Sequence, residues 1–369
     1  MEPELQQIES PEMEHDMEHL SRAEIEVALT AAAEQRNRPV YNKTFALYVR
    51  WENDDTHADR DGVNFQRFLD TFGLGTMEVQ QLSSNDVAPG WSLFQRLNSI
   101  VREADDSARA SGGRSLVVFH YGGHGIQGPD GSLLLTSPTN SKSINVEQNI
   151  TTLFGSPGPL PYEAPVDIIY IFDCCFSFLT TRAFTPSQRV VEVLAATDSN
   201  SPMAFVPGSN VSFTAKLAAK AHALKQQGYP SVEVAELISI LREESKVKHP
   251  CYAIKLGTSS IRLPFPGSRG PRISLLSPSQ RRAVFHINLS DDLTKEELKA
   301  FVEWINSLPS GGNITVQGVY NTASTCIILQ APYSLFLKLH RLPGIHIICE
   351  GYGANRLEET MDSARILRL

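Results

Sequence analysis

The sequence predicts an α/β domain with a mostly parallel, helix-flanked sheet, followed by a smaller α+β domain. Three observations carry that prediction. Short apolar runs alternate with helix-period segments up to about residue 265. Two of those runs, Val117 to Phe119 and Ile168 to Phe172, are unbroken, as interior strands buried on both faces require. An interval with four prolines between Leu263 and Arg282 then separates this series from a second one.

Residues 1–20 are acidic and aperiodic and are expected to be mobile. Ser21 and Glu24 make a capping-box pattern before a short helix carrying Ile25, Val27, Ala28 and Leu29, ending near Glu34. Residues 44–48 read as a strand and 51–60 as a polar loop. Val63, Phe65, Phe68, Leu69 and Phe72 then recur at helical spacing up to Gly73. A strand over 77–82 and a helix over 91–108, with Leu93, Phe94, Leu97 and Ile100 on one face, lead to the strand at 115–119. The Asp130-Gly131 turn precedes a strand at 133–135. The Ser, Thr, Pro, Gly and Asn content of 137–165 predicts a long surface loop. A strand at 166–172, a polar exposed stretch at 179–188, a strand at 190–194, helices at 213–224 and 232–241 and a strand at 252–256 complete the first domain.

The expected organisation is a mobile acidic segment with a short helix (1–39), the α/β domain (40–265), a linker (266–282), a C-terminal domain (283–356) and a tail (357–369). In the C-terminal domain the periodicity gives strand 283–289, helix 295–308, strands 314–320 and 326–330, helix 333–342 and strand 345–349. This β-α-β-β-α-β order is the ferredoxin-like pattern. No catalytic cluster falls in it, so a regulatory protein partner is its expected use.

Composition narrows the function. With 33 basic against 41 acidic side chains, a nucleic-acid partner is not expected. No apolar run approaches the roughly 18 residues of a membrane span, and the first residues lack the apolar core of a signal peptide. The five cysteines (Cys174, Cys175, Cys251, Cys326 and Cys349) form no Cys-x-x-Cys pair, which argues against a disulfide framework and against structural zinc. A reducing, cytoplasmic setting is expected.

The chemistry-bearing residues follow the two buried strands. The first ends in His-Tyr-Gly-Gly-His-Gly over residues 120–125, the second in Asp-Cys-Cys-Phe-Ser over 173–177. Parallel strands deliver their carboxyl ends to one sheet edge, where open α/β sheets place their chemistry. A thiolate attacks a carbonyl once a base takes its proton, so Cys175 is the candidate nucleophile and His124 the candidate base. Cys174 and Cys175 point to opposite faces of an extended chain, and strand parity alone does not say which enters the core. His120 is expected to make a structural hydrogen bond. The backbone amides of Gly125 and Cys175 are candidate oxyanion donors, although the glycines would serve equally to turn the chain.

These two motifs resemble the histidine and cysteine motifs of the caspase superfamily, closest to its metacaspase and fungal caspase-like branches. Asp61 with the helix ending Phe72-Gly73-Leu74, Ser212-Phe213-Thr214 before Leu217 and Ala218, and His249-Pro250-Cys251-Tyr252 extend the likeness over about residues 40–265. The resemblance implies a caspase-like fold and a cysteine-type endopeptidase with a His124–Cys175 dyad. It also implies that Asp173 and Asp61 form an acidic pocket for an arginine or lysine before the scissile bond; capping by Asp61 and loop bracing by Asp173 are the structural alternatives. The partner is then a protein or peptide substrate, and no cofactor is required. Arg182 and Arg189 follow the nucleophile where related enzymes are processed, so self-cleavage at either is expected to activate the chain.

Three positions depart from the family. Gly122 replaces a serine usual in metacaspases, Phe178 replaces a small residue, and Asp198 lacks the further acidic residues of a metacaspase calcium site. Calcium therefore stays an open option, without a complete set of ligands. The contrasting reading is a non-enzymatic caspase-like scaffold in a defence or cell-death pathway.

Overall fold

The computed structural model describes residues 19–33, 41–151, 160–161, 163–181, 189–206, 209, 211–257, 259–267, 281–308, 314–321 and 325–352. Helix α1 (Arg22–Ala33) starts on the expected box: Glu24 Oε2 accepts from the Ser21 amide at 2.9 Å, and Ser21 Oγ accepts from the Glu24 amide at 3.3 Å. Strand β1 (Lys43–Trp51) leads into α2 (Ala58–Phe72), which stops where Gly73 takes the left-handed conformation (φ 67°) and donates back to Asp70 and Leu69. After β2 (Met77–Leu82), α3 (Pro89–Ser111) begins on a proline and ends at a left-handed Gly112.

Strand β3 (Ser115–Gly122) is followed by three short strands: β4 (His124–Gln127), β5 (Leu133–Thr136) and β6 (Ser143–Asn145). These three pair antiparallel as a separate small sheet, and a π-helical turn covers Glu147–Thr151. The stretch read as one surface loop from 137 thus contains a strand and a helical turn. Its alternation of Ile144 and Val146, both buried, is too short to stand out in a polar composition.

Strand β7 (Val166–Asp173) precedes a 3-10 turn at Ser177–Thr181 and β8 (Val191–Ala195). Leu179 and Thr180 are buried, in a stretch expected to be exposed. Helix α4 (Phe213–Gln226), strand β9 (Ser231–Glu233), helix α5 (Val234–Glu244) and strands β10 (Cys251–Leu256) and β11 (Arg262–Pro264) follow.

The main sheet has the order β10-β8-β7-β3-β1-β2 and is parallel except for β10, which runs antiparallel to β8 at one edge. Every residue of β3 and of β7 is buried, so helices cover both faces, as the unbroken apolar runs require. One core lies under α2, α4 and α5, the other under α3.

The second series comprises β12 (Arg281–Asn288), α6 (Lys295–Ser307), β13 (Thr315–Asn321), β14 (Thr325–Pro332), α7 (Tyr333–Leu339) and β15 (Ile345–Tyr352). The expected β-α-β-β-α-β succession is present as an antiparallel sheet of order β13-β14-β12-β15. Arg281 and Arg282 belong to β12, which shortens the expected linker; residues 268–280 lie outside the described ones.

This unit is packed onto the α/β unit, not merely tethered to it. One hydrophobic cluster runs from Leu217 and Ile238 through Phe265 to Phe285 and Phe336. Helix α1 joins the same junction: Leu20 bridges Leu289, and the Ala32 carbonyl accepts from Lys338 Nζ at 3.0 Å.

Candidate active site

The histidine and cysteine motifs converge at the carboxyl ends of β3 and β7, which are sheet neighbours with Gly122 opposite Asp173. Gly125 lies against the second motif so closely that a Cβ there would stand 2.4 Å from the Cys175 carbonyl oxygen and 2.9 Å from Cys174 Sγ. This is the reason for glycine at 125: close approach of two backbones, without an unusual torsion. Gly123 does need its freedom, with φ at 144° and the Tyr121 hydroxyl 2.9 Å from where a Cβ would be. The same Tyr121 hydroxyl donates to the His124 carbonyl at 2.8 Å.

The two cysteines separate cleanly. Cys174 is 1 % exposed within the core beneath β3 and β7, and burial pushes its thiol well above the ordinary value. Cys175 is half-buried at the sheet edge, followed by Phe176 in the left-handed region (φ 58°). That torsion, unusual for an aromatic residue, turns the chain sharply just after the thiol. Cys175 Sγ accepts from the Ala204 amide at 3.4 Å, and Phe176 N–H donates to the Pro202 carbonyl at 2.6 Å. A strap of residues 202–206 is thereby held against the thiol and the residue after it.

His124 begins β4 and is partly exposed; Nε2 is 2.6 Å from Asp55 Oδ1, in the loop after β1. Among the described residues no hydrogen bond joins His124 to Cys175. His120 is wholly buried between Tyr48 and Phe65, with Nε2 2.7 Å from Thr214 Oγ1. Burial lowers its pKa to about 3, so it is a neutral structural side chain.

Asp61 and Asp173 are both fully buried and meet at the N-terminus of α4. Thr214 donates to Asp173 Oδ2 from its amide at 2.9 Å and from its hydroxyl at 2.7 Å, and Ser212 Oγ donates to Asp61 Oδ1 at 2.7 Å. Since Thr214 Oγ1 gives its proton to Asp173, His120 Nε2 is the donor to Thr214. Asp173 Oδ1 has no hydrogen-bond partner although it is buried. Burial, and then the Asp61 charge, raise the Asp173 pKa to about 7, against the pull of Thr214 and Lys216. The result is a buried acidic pair beside the sheet edge, with one oxygen of Asp173 unsatisfied.

Other sequence expectations divide. Gly122 is fixed by packing, since a Cβ would lie 3.1 Å from the Tyr48 hydroxyl and 3.4 Å from Ala58. Phe178 is half-buried against the core. Arg189 is 0 % exposed at the base of the sheet, so the expectation of an accessible cleavage site there is corrected. Arg182 lies outside the described residues.

Asp198 opens a turn, accepting from the Ser201 amide at 2.9 Å, and faces Arg242 at 3.4 Å. A guanidinium already answers its charge, which does not suit a calcium site. Asp54, Asp55 and His124 do bring donor atoms within 4.8 Å of one another. The Asp54 carboxylate, however, is committed to the Thr56 and Ala58 amides at the start of α2.

Asp55, Thr214, Ser212 and the strap were not singled out as site components from the sequence. The adjacent aspartates Asp54 and Asp55 after the first strand were the available signal, but their relevance depends on β1 neighbouring β3.

The chain matches no family model and no curated protein. Among the described residues no helix is long and apolar enough to cross a membrane.

Proposed function

We propose that the chain is a caspase-like cysteine endopeptidase that cleaves after arginine or lysine, with Cys175 as nucleophile and His124 as base. The observation that carries this reading is the convergence of the two motifs at neighbouring parallel strand ends, with Gly125 against Cys174 and Cys175. The buried carboxylates Asp61 and Asp173 support the specificity. The unsatisfied Asp173 Oδ1 offers an acceptor that a guanidinium or ammonium would complete.

In the proposed reaction His124 takes the thiol proton as sulfur bonds to the substrate carbonyl carbon. Amides of Gly125 and Cys175 donate to the oxyanion. The imidazolium then protonates the departing amine as the C–N bond breaks, and water, deprotonated by His124, releases the acyl group. The Ala204 amide engages Sγ, and its release would free the sulfur for a substrate carbonyl, which fits a latent form activated by cleavage. Arg182 is the proposed self-cleavage position. A cytoplasmic setting suits five free thiols. The C-terminal unit is proposed as a ferredoxin-like module that receives a regulatory protein partner.

One observation favours the scaffold reading: the resting thiol is hydrogen-bonded by its own chain and not by His124. Fluorogenic arginyl and lysyl peptides, compared with neutral and aspartyl ones, separate the two. Cleavage after basic residues that is lost in C175A and H124A and kept in C174A is expected. An active-site ketone that leaves folded protein unlabelled, with no peptide cleaved, would instead establish the scaffold.

A further inference from the structure

We propose that Asp55 is a positioning residue for His124, making the catalytic unit a Cys175–His124–Asp55 triad. The proposal rests on the peptidase reading above. Its basis is the 2.6 Å contact between Asp55 Oδ1 and His124 Nε2. That bond is the largest cause holding the Asp55 carboxyl below its ordinary value, so Asp55 is an ionised acceptor. A carboxylate only accepts, and the ring nitrogen facing it must carry the proton. The other nitrogen, Nδ1, is left with its lone pair for the thiol proton.

The segments at both ends of the contact are anchored by side-chain bonds to backbone groups. On the histidine side, Tyr121 Oη donates to the His124 carbonyl at 2.8 Å. On the other side, the Asp54 carboxylate accepts from the Thr56 amide at 3.1 Å and the Ala58 amide at 2.9 Å, which fixes the turn carrying Asp55 to the start of α2. The turn also packs on the histidine motif, since a Cβ at Gly123 would stand 3.4 Å from Asp54 Oδ1. Asp55 makes a hydrogen bond to no other side chain among the described residues, so its removal leaves the core intact.

As the Sγ–carbon bond forms, the thiol proton moves to His124 Nδ1 and the ring becomes an imidazolium beside the Asp55 carboxylate. That proton leaves with the amine when the C–N bond breaks. A water proton replaces it during deacylation and returns to Sγ. Asp55 stays ionised throughout and acts only by fixing the ring's tautomer and opposing its transient charge.

The pair is partly solvent-exposed, with side-chain exposures of 41 % for His124 and 66 % for Asp55, which limits the electrostatic share of the effect. The test compares the full-length wild type with D55A, D55N and D55E on an arginyl peptide. The histidine ring ¹⁵N shifts are recorded in parallel, with H124A assigning the His124 signals. The expected result is a roughly tenfold fall in kcat for D55A and D55N with KM held, loss of the Nε2–H tautomer pattern, and partial recovery of both in D55E. Wild-type cleavage left unchanged by D55A, or a change confined to KM with the tautomer retained, overturns the Asp55 role alone. A wild type that cleaves nothing overturns the peptidase reading, and this proposal with it.

Discussion

Asp173 binds protons in the folded state that it would release in the unfolded chain at the same pH. Its pKa is raised to about 7 from 3.8, first by burial and then by Asp61. A carboxyl raised in this way favours the folded state fully at low pH, and that contribution is lost as pH rises from about 4 through about 7. D173N should remove this dependence. The stability difference between D173N and wild type, followed by urea unfolding from pH 4 to 8, is expected to move in favour of D173N as pH rises. A pH-independent difference would mean that Asp173 is already ionised in the folded protein. The same group links to binding. A guanidinium selects the ionised carboxylate, so affinity for an arginyl inhibitor is expected to strengthen as pH rises from 6 to 8 in wild type and to stay flat in D173N.

Among the local elements, the strap of residues 202–206 has the most direct bearing on access to the thiol. Lys248 Nζ donates to the carbonyls of Met203 and Ala204, and the Phe205 ring lies 4.5 Å from the Lys216 ammonium and 5.0 Å from that of Lys248. Ala204 in turn donates to Cys175. Lys248 is thus a fastener of the strap. K248A removes one exposed and one part-buried bond at a cost of about 1 kcal/mol, and alkylation of Cys175 by iodoacetamide should accelerate about fivefold. Equal rates in K248A and wild type would show that the strap does not limit access. In the same assay Cys174 should stay unmodified in folded protein, because its thiol is buried.

At the scale of the whole molecule, charged groups tie the two units together across an apolar junction. Lys338 of α7 pairs with Glu233 at 2.6 Å, and Arg262 meets the same carboxylate at 3.1 Å. Burial alone would raise the Glu233 carboxyl; Lys338 and Arg262 together overcome it and hold it below the ordinary value. Replacing Lys338 by alanine leaves a buried carboxylate with one cation fewer and is expected to cost about 3 kcal/mol. Calorimetry of K338A should show a lowered single transition if the units fold as one body, and two separated transitions if they do not. Arg242 offers a second tie, contacting Asp198 at 3.4 Å and Glu350 at 3.2 Å. It connects the last strand of the C-terminal unit to the turn from which the strap departs.

The sequence by itself determined the succession of the main-sheet strands with their helices and of the C-terminal elements, the interior strands, the helix caps at Ser21 and Gly73, and the two motifs at strand ends; the short strands β4, β6, β9 and β11 were not among them. Those properties are local: periodicity, turn chemistry and unbroken apolar runs are written along the chain. Tertiary structure decided which cysteine faces out: β7 ends at Asp173, ahead of both thiols, and Cys175 and Phe176 are hydrogen-bonded to Ala204 and Pro202. It brought Asp55 to His124 through the pairing of β1 with β3, and gathered Asp61, Asp173, Ser212 and Thr214 at one helix start. It also buried Arg189, which reads as exposed from a polar neighbourhood. Each of these depends on contacts between residues tens to more than a hundred positions apart, and strand order, which a local pattern does not encode, selects them.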